Sequence, residues 1–175
     1  MRNTMLNNEQ ILERVNQIAK FNNKTKATYF LFVDFTRPAN QHRLFLVNMI
    51  TQMVEYSGYT SHGSGSGDVT GRNLKFSNTP DSRMSSKGLF IAKEIYHSTK
   101  FKSKACRLDG LEKGINDNAR KRAIVVHRSD YVDDDFIKDN GYPGRSWGCI
   151  TVDPDYSDYV VEAISNGSLV YIHTD

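Results

Sequence analysis

Apolar residues recur at Ile11, Leu12, Val15, Ile18 and Ala19. That spacing of three to four predicts an amphipathic helix over Asn8–Phe21. A polar break follows at Asn22–Thr28, and the period then changes. Tyr29–Phe35 and Arg43–Asn48 are aromatic and β-branched runs separated by Thr36–His42, which holds Pro38 and Asn40. They predict a strand, a loop and an antiparallel return strand. Met49–Ser61 carries more strand-like sequence. Gly63–Gly71 has four glycines and no large apolar residue except Val69, so it predicts a flexible surface loop. Strand patterns return at Lys87–Glu94, Ala105–Leu108, Ala123–His127, Cys149–Val152 and Leu169–His173, and Arg128–Gly148 reads as a long polar loop. Pro154 predicts the start of a helix across Asp155–Ile164, since the first helical position needs no N–H, and Asn166-Gly167 ends it. The expectation is one mainly β domain with two peripheral helices. Residues 1–28 form its N-terminal helix and linker, and 29–175 the body.

Composition narrows the function classes. The chain has 175 residues, 38% of them hydrophobic, and its 9 Phe and 9 Tyr argue against intrinsic disorder. Mean hydropathy is −0.55. The longest apolar runs, such as Tyr29–Val33 and Leu44–Val47, fall far short of the roughly 20 residues that span a bilayer, so no membrane span is expected. Net charge is +3 with scattered basic residues, which speaks against a nucleic-acid partner. Cys106 and Cys149 make no disulfide framework, although one bridge stays open. Met1–Lys20 lacks the apolar core of a secretion signal. The chain therefore acts where it is made, is a trimmed mature domain, or is exported by another route.

Candidate chemistry centres on Ser146-Trp147-Gly148-Cys149-Ile150-Thr151 and on the strand ending Val125-Val126-His127. A cysteine entering a strand after a glycine can expose its sulfur, and a strand-end histidine can sit beside it. Cysteine catalysis needs a thiolate and an imidazole to shuttle its proton. It also needs N–H groups aimed at the developing oxyanion, which a glycine-cysteine turn can supply. Spacing alone is a weak signal, and a buried structural cysteine is the commoner reading of such a residue. His127, His62, Cys149 and Cys106 show no zinc-ligand spacing.

The chain resembles the murein L,D-transpeptidase catalytic domain family. The residues that carry the resemblance are Val33-Asp34-Phe35, Arg43-Leu44-Phe45, His62-Gly63, Phe76-Ser77-Asn78 and Ser85-Ser86 before Gly88. They continue with Arg107-Leu108-Asp109-Gly110-Leu111-Glu112, Asn116 to Arg120, the strand ending in His127, and Gly144-Arg145-Ser146-Trp147-Gly148-Cys149. The resemblance implies an L,D-transpeptidase-like β-sandwich or barrel, with an N-terminal helix and one helix after Cys149. It implies Cys149 as nucleophile, His127 as base, the Arg128 backbone carbonyl as its orienting partner and the Gly148 N–H at the oxyanion. Trp147 stands where most members of the wider superfamily have a second histidine, and is expected to wall the acyl pocket. The implied reaction acylates Cys149 with residue 3 of a peptidoglycan tetrapeptide, releases D-Ala, and passes the acyl group to an amine. Peptidoglycan stems are the implied partner, carbapenems the implied inhibitors, the cell envelope the implied location, and no metal or cofactor is implied. Cys149 is expected to be an accessible thiol of low pKa, and Cys106 an inert one.

Arg145, Ser146, His62, Asn78 and Arg107 are the candidates for substrate contact. Arg145 suits a carboxylate through its fork of donors. His62 is either a rim residue or a turn histidine. Arg107, Asp109, Glu112, Asn116, Asn118 and Arg122 either recognise the stem peptide or form a hydrogen-bonded, capped loop. Gly63–Gly67 lacks the Gly-Lys-Ser/Thr of a phosphate cradle. Asp133-Asp134-Asp135 lacks the pattern of a calcium loop and reads as solvated. The Asn-x-Ser/Thr matches at Asn23 and Asn166 carry no weight. Two alternatives accompany the transpeptidase reading: a hydrolase of the same bond, including a lysis protein, and a non-catalytic cell-wall binding module.

Overall fold

Asn7 starts helix α1 (Asn8–Phe21): its side chain accepts from the Gln10 N–H, and the Gln10 side chain accepts from the Asn7 N–H. This reciprocal cap satisfies two N–H groups that have no partner within the helix. The computed structural model describes residues 5–22 and 27–174, so most of the break expected at Asn22–Thr28, with Asn23, lies outside the described residues. Eight strands follow: β1 (Tyr29–Asp34), β2 (Leu44–Asn48), β3 (Met53–Gly58), β4 (Gly88–Ser98), β5 (Ser103–Gly110), β6 (Val125–Arg128), β7 (Ile150–Val152) and β8 (Leu169–His173). They form one mixed sheet in the order β3-β2-β1-β8-β4-β5-β6-β7. The pairs β1–β8 and β6–β7 are parallel and the others antiparallel.

The continuous apolar run of β1 has a direct cause: both of its faces are covered. Leu31 and Val33 join Leu44, Leu46, Val126 and Ile150 in a core closed by Val160, Val161 and Ile164 of helix α3 (Ser157–Ile164). Phe30 and Phe32 point the other way, against Ile11 and Val15 of α1. Successive strand side chains alternate between faces, so a strand buried on both sides reads as unbroken hydrophobicity. Neither helix is peripheral, as the sequence had suggested; each supplies one lid of the core.

The sheet curls until its outer strands nearly meet, giving an almost closed barrel. The chain leaving β3 reaches β7 through hydroxyls. Ser61 N–H donates to Thr151 Oγ1 at 2.8 Å, Ser61 Oγ lies 2.7 Å from the same oxygen, and Thr151 N–H donates to Thr60 Oγ1 at 3.1 Å. The seam continues as a bridge between Gly63 and Ser146. Ser146 N–H donates to the His62 carbonyl at 2.9 Å and Ser64 N–H to the Ser146 carbonyl at 2.7 Å.

Several expectations need correction. The Gly63–Gly71 segment is pinned rather than loose, because Gly65 N–H donates to the Arg83 carbonyl and Ser66 N–H to the Gly63 carbonyl. A Cβ on Gly63 would strike the 83–85 backbone. The loop expected over Arg128–Gly148 contains a short 3₁₀ turn and helix α2 (Asp134–Asn140). Asp133 caps α2 by accepting from Phe136 N–H at 2.6 Å, Gly141 ends it at φ 81°, and Ile137 anchors it inward. The acidic triplet is thus a helix start, where carboxylates favour the positive end of the dipole. Pro154 is not the first residue of α3. It sits in a turn closed by Asp155 and Tyr156 N–H groups donating to Asp153, and the helix begins at Ser157. Strands β4 and β5 outrun the predicted Lys87–Glu94 and Ala105–Leu108, forming a long hairpin whose tip is Thr99–Lys102. None of the helices is long and apolar enough to cross a membrane among the described residues.

Candidate active site

Cys149 lies at the end of a tight turn that enters β7. Ser146, which is buried, clasps that turn: its hydroxyl accepts from Gly148 N–H at 3.1 Å and donates to the Cys149 carbonyl at 2.8 Å. Gly148 sits at φ 112°, and a Cβ there would come within 2.6 Å of the Met84 carbonyl. Both the backbone angle and the space require glycine. Gly144 serves the same segment, since a Cβ on it would enter the Tyr131 ring at 2.7 Å.

Strand β6 brings His127 alongside. Val126 pairs with Ile150 and His127 with Thr151 in parallel register. Cys149 comes one residue before that pairing, where the Val125 backbone hydrogen-bonds its sulfur. The imidazole Nδ1 lies 2.6 Å from the Arg128 carbonyl. A carbonyl only accepts, so Nδ1 carries the proton and Nε2 keeps its lone pair. Against the other side of the imidazole lies Phe101, its ring centroid 3.5 Å away and its plane 6° from parallel.

Burial sets the ionisation of both groups. Desolvation takes the His127 pKa down to about 4, partly offset by the bond to Arg128 and helped by the Lys100 charge. Desolvation pushes the Cys149 thiol above its ordinary value, while a Val125 backbone hydrogen bond and the charges of Lys100 and Arg122 pull against it. The expectation of a low-pKa thiol is therefore corrected. At rest the thiol and the imidazole are both neutral, and the thiol donates to the Ala123 carbonyl at 3.6 Å. Cys106 is fully buried on β5 and its thiol is pushed up to about 11; both cysteines are free.

Cys149 and His127 open into one cavity of about 590 Å³, which Phe101, Tyr131, Arg145 and Trp147 also line. Trp147 is 61% exposed and stands at the rim, with the Arg83 guanidinium 4.4 Å and the Lys100 ammonium 5.1 Å from its ring centroid. Two cations thus hold the indole upright at the mouth.

The other sequence candidates divide. Arg145 lines the cavity, but its guanidinium already donates to the Gly67 carbonyl at 2.9 Å. Ser146 is a clasp of the turn. His62 is buried, not on the rim: its Nδ1 is 2.8 Å from Arg43 Nη2 and its Nε2 is 2.7 Å from the Asp68 carbonyl. Burial and the Arg43 charge take its pKa down to about 4. Asn78 lies outside the cavity lining and holds the Asn116–Arg120 turn, bonding Asp117 and Asn118. Arg107 pairs with Glu94 at 3.3 Å and covers the Tyr96 ring. Asn116 bonds the Lys87 and Leu89 carbonyls, Glu112 accepts from Leu89 N–H, and Arg122 ties the Ser77, Ser82, Met84 and Ser86 oxygens together. The polar cluster is the capped, hydrogen-bonded loop, and Arg122 at its end sits close enough to Cys149 to act on its charge. Phe101, Lys100 and Tyr131 line the site although nothing in the sequence singled them out. Among the described residues no group of three His, Cys, Asp or Glu side chains is placed to hold a metal ion.

The family model for the L,D-transpeptidase catalytic domain matches residues 2–173. No curated protein matches the chain. Among solved structures the chain is similar to Bdellovibrio bacteriovorus Bd1075, with 16% identity and a TM-score of 0.51 over 86% of this chain and 50% of that one. It is similar to an L,D-transpeptidase from Mycobacterium smegmatis, with 14% identity and a TM-score of 0.50 over 85% and 59% of the two chains. A third similarity is to the helical cell shape determining protein Pgp2 of Campylobacter jejuni, with 9% identity and a TM-score of 0.50 over 97% and 55%. At such identities the likeness is one of fold. The chain spans 50% to 59% of the length of these three structures.

Proposed function

The chain belongs to the L,D-transpeptidase catalytic domain family, and from that premise we propose that it transfers acyl groups of peptidoglycan stem peptides through a thioester on Cys149. The observation that carries this reading is the bond from His127 Nδ1–H to the Arg128 carbonyl, because it leaves Nε2 as a base within the cavity that holds the thiol. This reading requires the Cys149 side chain to turn its proton from the Ala123 carbonyl to Nε2. The proton passes to Nε2 as sulfur bonds to the carbonyl carbon of residue 3 of a tetrapeptide. With both groups neutral at rest, attack and proton transfer are coupled.

The oxyanion is held by backbone N–H groups at the turn. Because Gly148 N–H is engaged by Ser146 Oγ, we assign this task to the N–H groups of Cys149 and Trp147, in place of Gly148. Collapse breaks the carbonyl carbon–nitrogen bond, and D-Ala leaves with the proton returned by His127. An acceptor amine then gives its proton to Nε2, attacks the thioester and releases the thiol. Water in place of the amine gives hydrolysis of the same bond. The indole of Trp147 walls the acyl pocket. The site of action we propose is the cell envelope, where stem peptides are found.

The test is intact-mass spectrometry after incubation with a carbapenem, followed by product analysis with tetrapeptide-containing muropeptides with and without an amine acceptor. Acylation of the wild type, its loss in Cys149→Ala and cross-linked product with the acceptor are expected. Acylation that persists in Cys149→Ala would overturn the nucleophile.

A further inference from the structure

Four cationic side chains, Lys100, Lys102, Arg128 and Arg145, line the cavity against one acidic residue, Asp130. Each arginine has one nitrogen committed, Arg128 Nη2 and Arg145 Nη1, while the buried Arg128 Nε has no hydrogen-bond partner among the described residues. Arg128 pairs with Asp130 at 2.9 Å, and Arg145 donates to the Gly67 carbonyl. The two lysines form no ion pair among the described residues, and both belong to the tip of the β4–β5 hairpin. That tip is well fixed for an exposed turn. Phe101 N–H donates to Ser98 Oγ at 3.2 Å, and its ring lies flat on His127. The Lys100 ammonium is 5.5 Å from the Phe101 centroid and 5.1 Å from the Trp147 centroid, so two rings lining the cavity hold one charge. Such a lysine loses less freedom on binding an anion than one waving in solvent.

We propose that Lys100 is the specificity-determining residue for an acyl donor bearing a free carboxylate close to the scissile carbonyl, with Lys102 adding charge behind it. This rests on Cys149 as the nucleophile. It moves to the hairpin tip the carboxylate recognition that the sequence suggested for Arg145, whose Nη1 already donates to the Gly67 carbonyl. An uncharged donor of the same shape gains nothing from Lys100, and the preference weakens with salt because the ammonium is exposed.

Iodoacetate and iodoacetamide test this without any peptide. Both alkylate a thiol by the same displacement, forming a carbon–sulfur bond and releasing iodide, and they differ in one negative charge. The quantity measured is the ratio of their rates at Cys149, mapped by mass spectrometry, relative to the same ratio for 2-mercaptoethanol. The expected ratio is higher at Cys149. Lys100→Gln should lower it roughly two- to fivefold, the range of a partly solvated charge pair. Lys100→Arg should restore it, and 1 M NaCl should erode it. A wild-type ratio equal to that of 2-mercaptoethanol, or a ratio unmoved in Lys100→Gln, overturns the proposal. Failure of the nucleophile assignment shows separately, as carbapenem acylation that survives Cys149→Ala while the charge preference at Cys149 persists.

Discussion

The Phe101 ring lies parallel to the His127 imidazole at 3.5 Å between centroids and excludes water from one of its faces. This dry contact is one cause of the low His127 pKa of about 4. Phe101→Ala should rehydrate the ring and raise that pKa towards the ordinary 6.5. An NMR titration of the imidazole in both proteins reads the change, and an unmoved titration would mean that the burden of desolvation lies with the sheet beneath.

His127→Ala should lower the acylation rate by about 10²–10⁴-fold, the usual worth of a positioned general base. The comparison is carbapenem acylation followed by mass, with circular dichroism to show that the barrel survives. Near wild-type acylation would require another base. Buried His62, whose two nitrogens face Arg43 and the Asp68 carbonyl, is not placed to serve.

The pH dependence follows from the shifts of the pair. The Cys149 thiol is raised, so iodoacetamide alkylation should climb through neutral pH and continue past the range of an ordinary thiol. His127 stays neutral until about pH 4, so acylation should lose its base only in that acid range. A plateau of alkylation reached near pH 6 would indicate a preformed thiolate–imidazolium pair instead.

Folding stability should also fall in acid. His62 and His127 both have folded pKa values of about 4, below the unfolded value near 6.5. Between those values the unfolded chain binds the extra protons, so stability is whole above pH 6.5 and is lost as pH falls towards 4. The slope should approach 1.4 kcal/mol per pH unit for each histidine, read from urea unfolding at several pH values. His62→Gln should remove about half of it.

Ser146→Ala deletes one hydroxyl that serves two backbone groups, the buried Gly148 N–H and the part-buried Cys149 carbonyl. A stability loss of about 1–3 kcal/mol is expected, together with slower alkylation of Cys149 as the turn loosens. Trp147 should behave differently, being exposed with two cations over its ring. Trp147→Ala should reduce muropeptide turnover while leaving alkylation of Cys149 near wild type, and Trp147→His should keep substantial turnover. Parallel loss of both activities in Trp147→Ala would place the indole in support of the sulfur.

Most strands were legible because their apolar runs are buried on one or two faces, as with Phe30–Val33 and Leu44–Val47. Helix α2 was hidden because seven residues bury a single large anchor, Ile137, too few to show a period. That Cys149 and His127 share one cavity was legible in the motif, whereas their ionisation was not, since desolvation depends on neighbours distant in sequence. Phe101 illustrates the limit: an aromatic residue between two lysines at a hairpin tip reads as exposed, and only the fold brings it onto the imidazole. His62 and Asn78 show the converse. Their positions in the motif were noticed, but their contacts are internal.

The hydroxyl seam joining Thr60 and Ser61 to Thr151 has a consequence for how copies of the chain meet one another. An open sheet of this order would leave β3 and β7 as unpaired borders, each a template on which a foreign strand can add. Here β7 spends its free N–H on the seam, while Tyr156 stacks on Tyr56 of β3 at 4.6 Å and Tyr159 donates to Glu55 at 2.6 Å. The seam that fixes the strand following Cys149 thus also takes the outward N–H of Thr151 out of reach of a foreign strand, so loosening it would expose that border for pairing.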